Sequence, residues 1–234
     1  MKLIIPFFSL FLAVSCIKAD EKQESKESTP ATAETPVLAE GEPHPALKDP
    51  SLAKEKAPET FEVVFETTKG EFEVKVNREW SPLGADRFYN LVKIGYFEDI
   101  AFFRVIEGFM AQFGIHGDPA VNKVWRDANI NDDGKAVVSN TPGRITFAKT
   151  GAPNSRSVQF FINYGNNGNL DGMGFTPFGE VTKGMDVVKS IYSGYGEGAP
   201  RGRGPDQGMF QAQGNALLKK SFPEMDYIKS AKLK

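Results

Sequence analysis

Short apolar runs separated by turn residues restrict most strongly how this chain can fold. From residue 59 to the end, many apolar runs have the length of one β-strand and are separated by glycine, asparagine or aspartate. Glycine (23 residues) and phenylalanine (19 residues) are both abundant, and the sequence has no heptad pattern of apolar residues. These features are typical of β-rich proteins. We therefore predict a mainly β domain over residues 59–234.

The order of the runs predicts an antiparallel barrel with two helices. Alternating apolar and polar residues flank turn residues in two hairpins. A closed barrel would leave none of the short strands at an exposed edge. One helix is predicted over residues 81–95, with Ser81 as its N-cap before Pro82, and a second over residues 185–192. Strands are predicted in the hairpins 61–77 and 101–114 and in the runs 143–149, 158–163, 176–182 and 226–234.

The first residues of the chain have the features of an export signal. A basic residue, Lys2, precedes an apolar core at residues 3–14, which is shorter than the about 20 residues needed to cross a membrane. Cys16 is the only cysteine, and the sequence LAVSC resembles the lipobox of bacterial lipoproteins. We predict a lipoprotein signal peptide at residues 1–15 and lipidation of Cys16. The alternative is an ordinary signal peptide that is cut nearby, for example after Ala19.

Residues 16–58 are predicted to be a tether that begins with the lipidated cysteine. From residue 20 the segment is rich in Glu, Lys, Pro, Ala and Ser and has no aromatic residue. So little apolar surface does not offset the entropy lost on ordering, which predicts a disordered chain. The domain is then expected in the bacterial cell envelope, anchored to a membrane by lipid and facing the periplasm or the exterior.

Charge and residue types exclude several classes of function. The 28 basic and 30 acidic residues give a net charge of -2, so no nucleic acid partner is predicted. His44 lies in the tether, which leaves His116 as the only histidine of a domain without cysteine. Neither a metal nor a cofactor is predicted, and His116 is expected to be an ordinary loop or edge histidine. Residues 196–204 lack a complete phosphate-binding motif and are predicted to be a surface loop.

One charged residue, Arg104, interrupts the apolar stretch AFFRVIEGFMAQFG. A three-residue hairpin connection would place Arg104 opposite Gln112. The same register places Ile106 opposite Met110, and alternation puts all four side chains on one face. A polar pair beside an adaptable methionine suits a cleft for a ligand with polar and apolar parts. The alternative is that Arg104 lays its stem on the barrel and keeps its charge in water.

The sequence QFF gives a second pair of side chains by the same reasoning. Alternation along a strand puts Gln159 and Phe161 on one side and Phe160 on the other. Phe160 would then enter the core, while Phe161 would line a surface pocket. Two core phenylalanines are the alternative.

Three ordered blocks, FFRVIEGFMAQFG, VQFFIN and LDGMGFTPFGEV, resemble those of the cyclophilin-type peptidyl-prolyl cis-trans isomerases. The resemblance covers residues 60–195 and implies an eight-stranded antiparallel barrel capped by two helices. It also implies an enzyme that accelerates rotation about X-Pro bonds in exported or envelope proteins and so assists their folding. Proline-containing segments are the implied partners, and a monomer is expected. The alternative is a tethered module that binds such segments with little turnover.

The resemblance further implies roles for individual residues. Arg104 matches the catalytic arginine of the family, and Gln112 matches a glutamine that contacts the substrate and helps to hold it. The implied substrate-binding residues are Phe109, Met110, Lys149, Thr150, Gly151, Gln159, Phe161, Leu170 and Phe175. Residues 117–143 lack the Gly-rich loop that is familiar in the family, which predicts a reshaped neighbouring subsite.

Overall fold

Nine strands form one antiparallel sheet in the computed structural model, which describes residues 42–234 of the chain. The strands are β1 (Thr60–Thr67), β2 (Gly70–Asn77), β3 (Ile100–Ala101), β4 (Arg104–Ile106), β5 (Met110–Phe113), β6 (Arg144–Phe147), β7 (Phe160–Asn163), β8 (Pro177–Lys183) and β9 (Tyr227–Leu233). Their order is β3-β9-β1-β2-β8-β6-β7-β5-β4. Each predicted strand is present, and the mainly β antiparallel fold is confirmed. The predicted signal peptide at residues 1–15 and the lipidation site Cys16 lie outside the described residues.

The sheet is curled, and the strands at its two ends, β3 and β4, follow each other directly in the chain. Only Phe102 and Phe103 separate β3 from β4, and no strand pairing joins these two strands within residues 42–234. Phe102 is buried in the core inside the sheet, whereas Phe103 is buried in a second cluster with Phe210. Burial of the two rings in different clusters interrupts the first arm of the hairpin. The predicted closed barrel of eight strands is therefore corrected to a curled sheet of nine.

Five α-helices accompany the sheet in the described part of the chain. They are α1 (Pro82–Lys93), α2 (Pro119–Trp125), α3 (Met185–Lys189), α4 (Gln207–Gln213) and α5 (Asn215–Ser221). α1 and α3 correspond to the two predicted helices, and the other three correct the predicted number. α2 has a recognisable start, because the carboxylate of Asp118 accepts a hydrogen bond from the backbone N–H of Ala120 at 2.7 Å. Within residues 42–234, no helix combines the length and the hydropathy of a membrane span.

The N-terminus of α1 is capped by a residue that is distant in the sequence. The carboxylate of Asp133 accepts hydrogen bonds from the backbone N–H groups of Leu83 (2.7 Å) and Gly84 (3.0 Å). Ser81 is the N-cap residue, as predicted, but its hydroxyl donates to the same carboxylate and makes no hydrogen bond to the helix backbone. Arg156 also donates to it, at 2.8 Å, and so compensates the buried negative charge.

Phenylalanine rings fill the core inside the sheet. Phe160 is fully buried, as the alternation in QFF predicts. Its ring is surrounded, at centroid distances of 4.5 to 5.9 Å, by the rings of Phe88, Phe97, Phe113, Phe147 and Phe178. Aromatic pairs at such distances add stability beyond the area that they bury. The cluster therefore connects α1 to the strands β5 to β8.

Part of the predicted tether packs on the domain. Two short 3-10 helices, Pro45–Leu47 and Pro50–Leu52, precede β1, and Ala46 is fully buried. The indole N–H of Trp125 donates to the backbone carbonyl of Ala46 at 3.1 Å. The predicted end of the tether at residue 58 is therefore corrected. Composition alone does not reveal where the tether ends, because residues 42–58 have few apolar side chains. Their order depends on contacts with side chains of α1 and α2.

Polar side chains of α1 hold the end of the same segment. Asn90 accepts a hydrogen bond from the backbone N–H of Glu55 at 3.0 Å and donates to its carbonyl at 2.7 Å. The carboxylate of Asp86 accepts from the backbone N–H of Ala57 at 2.8 Å. These bonds satisfy backbone groups that would otherwise be paired only with water.

Deleting residues 42–57 from the full chain is expected to lower the free energy of unfolding by about 3 kcal/mol, since several hydrogen bonds worth about 1 kcal/mol each are lost and Trp125 is uncovered. Thermal unfolding followed by circular dichroism measures the effect. A deletion of equal length in the predicted tether, residues 26–41, is the control and is expected to leave the midpoint unchanged. Equal midpoints for the two deletions would contradict a stabilising role of the docked segment.

Candidate active site

The hairpin of β4 and β5 has the predicted register. Arg104 pairs with Gln112, and Ile106 pairs with Met110. On its other side β5 pairs with β7, which places Gln112 opposite Phe161. The hairpin that carries Arg104 and the strand that carries Phe161 are thus adjacent in one sheet.

Three polar side chains form a hydrogen-bonded row across these strands. Arg104 Nη1 donates to Gln112 Oε1 at 2.9 Å, and Gln112 Nε2 donates to Gln159 Oε1 at 2.9 Å. Gln112 is only 7% exposed, so a buried amide has a partner at each end. The side chain of Arg104 is 21% exposed, which does not fit the alternative of a charge held freely in water.

A carboxylate that the sequence patterns do not predict holds the other edge of the guanidinium. Glu197 Oε1 accepts from Arg104 Nε at 2.7 Å, and Glu197 Oε2 accepts from Arg104 Nη2 at 2.8 Å. The hydrogen bonds from Arg104 lower the pKa of Glu197 below its ordinary value of 4.5, against the opposing effect of burial. Glu197 is therefore charged at neutral pH. It lies in residues 196–204, so part of the predicted surface loop reaches the site.

Apolar side chains form a buried cluster next to the polar row. The cluster consists of Met110, Phe161 and Leu170, with Phe109 and Phe175 packed against it. Phe161 and Phe175 lie edge to face, with their ring centroids 6.0 Å apart. The guanidinium carbon of Arg104 lies 5.9 Å from the centre of the Phe109 ring. Phe161 therefore lies on the pocket side, as predicted, while Phe160 occupies the core.

The polar row and the apolar cluster line one cavity with a volume of about 510 Å³. Pockets of about 300–1,000 Å³ commonly hold small ligands. The predicted residues that line it are Arg104, Phe109, Met110, Gln112, Lys149, Thr150, Gln159, Phe161, Leu170 and Phe175. Gly151 is exposed and is not part of this lining. The structure thus brings together every predicted catalytic and substrate-binding residue except Gly151.

Residues that were not predicted complete the rim of the cavity. Arg126 and Asp127 directly follow α2, and Gln207 and Gln211 lie on α4. Both helices are among those that the sequence patterns miss. The segment 117–143, which lacks the Gly-rich loop familiar in the family, therefore borders the cavity.

Lys149 and Thr150, which follow β6, make contacts with neighbouring residues. The ammonium of Lys149 lies 3.9 Å from a carboxylate oxygen of Asp132 and 5.9 Å from the centre of the Phe175 ring. The backbone N–H of Thr150 donates to the hydroxyl of Ser155 at 3.1 Å. These contacts hold Lys149 and Thr150, which both line the cavity.

His116 lies outside the lining of this cavity. Its Nδ1 accepts a hydrogen bond from the backbone N–H of Asp118 at 3.0 Å, and its ring centroid lies 5.0 Å from that of Tyr96. Burial lowers the pKa of His116 below its ordinary value of 6.5, so the ring is neutral at pH 7. These contacts agree with the predicted loop histidine.

Comparison with known proteins decides the family. A family model described as "Cyclophilin type peptidyl-prolyl cis-trans isomerase/CLD" matches residues 62–206, which include all three predicted blocks. The chain belongs to the cyclophilin family. Cyclophilins of this type are peptidyl-prolyl cis-trans isomerases, so the family and the enzyme class predicted from the sequence are confirmed.

Bacterial and eukaryotic relatives show how similar this cyclophilin is to known proteins. Peptidyl-prolyl cis-trans isomerase B of Escherichia coli (strain K12) is 33% identical over 136 residues, which cover 55% of this chain and 82% of that protein. A peptidyl-prolyl cis-trans isomerase of Acinetobacter baylyi is 34% identical over 133 residues, which cover 55% and 70%. The crystal structure of a Cryptosporidium parvum cyclophilin-type isomerase matches with a TM-score of 0.55 at 19% identity, covering 75% of this chain and 98% of that one. This structural likeness supports the cyclophilin fold.

Proposed function

We propose that this cyclophilin isomerises X-Pro bonds in the cavity described above, with Arg104 as the catalytic group. Gln112 orients the substrate, and the apolar cluster binds the proline ring. The observation that carries the proposal is the position of the guanidinium, which Gln112 and Glu197 hold at the edge of a buried apolar pocket.

The barrier that must be lowered comes from resonance of the peptide bond and amounts to about 18–20 kcal/mol. The cis and trans forms of X-Pro bonds are nearly balanced in energy, yet they exchange over tens to hundreds of seconds. Rotation breaks no covalent bond, so the reaction requires neither a nucleophile nor a redox group. A catalyst only has to stabilise the twisted amide more than the planar one.

Arg104 is suited to this task because twisting localises a lone pair on the prolyl nitrogen. A guanidinium has five N–H donors, and Gln112 and Glu197 occupy three of those of Arg104. Nη1 also donates to the sulfur of Met110, a weak acceptor, at 3.9 Å, and the fifth N–H is on Nη2. A donor held in place before the reaction stabilises the developing lone pair without further reorganisation.

The apolar cluster and Gln112 complete the site. Met110, Phe161 and Leu170 offer a dry surface for the proline ring, which holds the ring while the preceding residue rotates. Gln112 has a fixed amide orientation because it accepts from Arg104 and donates to Gln159. Proline-containing segments of other proteins are thus the proposed partners, and no cofactor takes part.

A protease-coupled assay on an Ala-Pro peptide tests the activity. The protease cleaves only the trans form, so an active enzyme converts the slow cis phase into a fast one that scales with enzyme concentration. The proposal expects this acceleration from the full chain at concentrations far below that of the peptide. A slow phase that is unchanged at every enzyme concentration would contradict it.

We also propose that Cys16 anchors the protein to a membrane of the bacterial cell envelope, where it assists the folding of exported proteins. The support is the lipobox-like sequence around the only cysteine of the chain. Burial of acyl carbons contributes about 0.8 kcal/mol per CH₂, so more than one chain gives stable anchoring.

Replacing Cys16 with serine tests the anchor in a bacterial host. The unmodified protein is expected to incorporate an alkyne-labelled fatty acid and to sediment with membranes. Cys16→Ser is expected to do neither, while the purified variant keeps its isomerase activity. An unlabelled wild-type protein whose N-terminus begins after Ala19 would contradict the anchor and support the ordinary signal peptide.

A further inference from the structure

The loop that carries Glu197 is held by its own hydrogen bonds. The backbone N–H of Gly204 donates to the carbonyl of Glu197 at 2.9 Å, and the N–H of Ala199 donates to the carbonyl of Gly204 at 3.1 Å. A side chain at Gly202 would begin 2.1 Å from the carbonyl oxygen of Glu197, so this close approach requires glycine. The loop thus fixes the backbone from which the Glu197 side chain extends.

The Glu197 carboxylate is fixed as well. Its Oε1 accepts from the backbone N–H of Gly198 at 3.0 Å, in addition to the bond from Arg104. The pairing with Arg104 uses two parallel N–H···O bonds, a geometry that restricts rotation of both planar groups. The two side chains are 25% and 21% exposed, so the pair is partly shielded from water.

The guanidinium is consequently held from two sides. Glu197 takes the Nε and Nη2 edge, and Gln112 takes one N–H of Nη1. Arginine side chains are long and have several rotatable bonds, so a catalytic arginine without such contacts would sample many orientations. Catalysis by a positioned donor depends steeply on its geometry.

We propose that Glu197 is a positioning residue, which holds the guanidinium of Arg104 in the orientation that prolyl isomerisation requires. This inference rests on the proposed catalytic role of Arg104. It extends the site to the loop at residues 196–204, which lies outside the three blocks that carry the sequence resemblance. A carboxylate that instead competed with the substrate for Arg104 would act in the opposite direction, and the kinetics distinguish the two.

Three variants of the full chain test the inference. Glu197→Ala removes both acceptors, Glu197→Gln keeps one acceptor without the charge, and Glu180→Gln is the matched control. Glu180 pairs with Arg144 in a similarly exposed ion pair, and neither residue lines the cavity. Exchange spectroscopy on an Ala-Pro peptide gives kcat and KM separately, and circular dichroism gives the unfolding midpoint.

Glu197→Ala is expected to lower kcat by about 10- to 100-fold, the loss that follows from a small misplacement of a catalytic group. KM should change little, because the apolar cluster still binds the proline ring. Glu197→Gln is expected to lie between Glu197→Ala and the unmodified protein. The control should retain its kcat, and all variants should unfold near the same temperature.

The pH dependence of kcat separates a positioning role of Glu197 from a purely structural one. The charged groups facing Glu197 are Arg104 on β4 and Arg201 in its own loop, and both favour the ionised carboxylate. Because Arg104 lowers the pKa of Glu197 below its ordinary value of 4.5, the midpoint of the acidic decline in kcat should lie below pH 4.5. Glu197→Gln should lack this acidic decline, whereas Glu180→Gln should keep it as long as the protein remains folded.

Two results would overturn the inference. A wild-type kcat for Glu197→Ala would show that Arg104 needs no positioning, and a raised kcat with a lowered KM would identify Glu197 as an inhibitory contact. If Arg104→Ala itself retained full activity, the proposed catalytic role would fail first. Loss of activity in Arg104→Ala together with wild-type activity in Glu197→Ala would overturn only the inference on Glu197.

Discussion

Replacing Arg104 with alanine is expected to lower kcat/KM for an Ala-Pro peptide by about 10²- to 10³-fold, the range found when one donor to a transition state is removed. The variant loses the hydrogen bond to the twisted prolyl nitrogen. Binding of the planar peptide should weaken much less, since the apolar cluster of Met110, Phe161 and Leu170 remains. The loss should therefore appear in kcat more than in KM.

Two further variants give this expectation its controls. Arg104→Lys keeps the charge but cannot form the planar fork to Glu197, so its activity should also fall. Arg144 pairs with Glu180 outside the cavity, and its guanidinium carbon lies 4.6 Å from the centre of the Trp80 ring. Arg144→Ala should therefore keep its isomerase activity. Thermal unfolding midpoints of all variants, measured in parallel, show whether a loss of activity comes from unfolding. Wild-type activity in Arg104→Ala, or equal losses in Arg104→Ala and Arg144→Ala, would contradict the catalytic role.

Replacing Phe160 with alanine is expected to lower the free energy of unfolding by about 3–5 kcal/mol, as for other buried phenylalanines. Phe160 is fully buried among the phenylalanine rings inside the sheet. The smaller change Phe160→Leu should lower stability in the same direction and leave a protein that folds. Because Phe160 faces away from the cavity, the folded Phe160→Leu variant should keep its kcat/KM.

Phe161→Ala is expected to lower activity more than stability, the reverse of the Phe160 variants. Phe161 is adjacent in the chain but lines the cavity, so loss of its ring should lower kcat/KM about tenfold or more. Its stability should fall less than that of Phe160→Ala. Chemical denaturation and the isomerase assay on both variants measure the contrast. Loss of activity in a folded Phe160→Leu protein, with activity kept in Phe161→Ala, would contradict the assignment of the two rings.

The part of the site that depends on local geometry follows from the sequence. Turn length sets the register of a hairpin, and alternation decides which side chains share a face. For that reason the pairing of Arg104 with Gln112 and the opposite directions of Phe160 and Phe161 are predictable from single segments. The walls of the cavity at Leu170 and Phe175 lie further along the chain, and only the family resemblance indicates them.

The parts that the sequence does not reveal depend on contacts between distant segments. Glu197 lies 93 positions from Arg104 and has only glycines beside it, so its surroundings in the sequence carry no signal. The docked segment before β1 is polar in composition, and its partners Asp86, Asn90 and Trp125 lie in helices far along the chain. The start of α2 is different, since Asp118 before a proline is a helix signal that the sequence does contain.

Exchange NMR of an Ala-Pro peptide with the unmodified full chain tests the central claim most directly. If the cavity around Arg104 and Phe161 catalyses rotation, the cis and trans resonances of the peptide will broaden and exchange at enzyme concentrations far below that of the peptide. Shifts of the peptide resonances that saturate with added protein, with no acceleration of exchange, would contradict the account and indicate a module that only binds proline-containing segments.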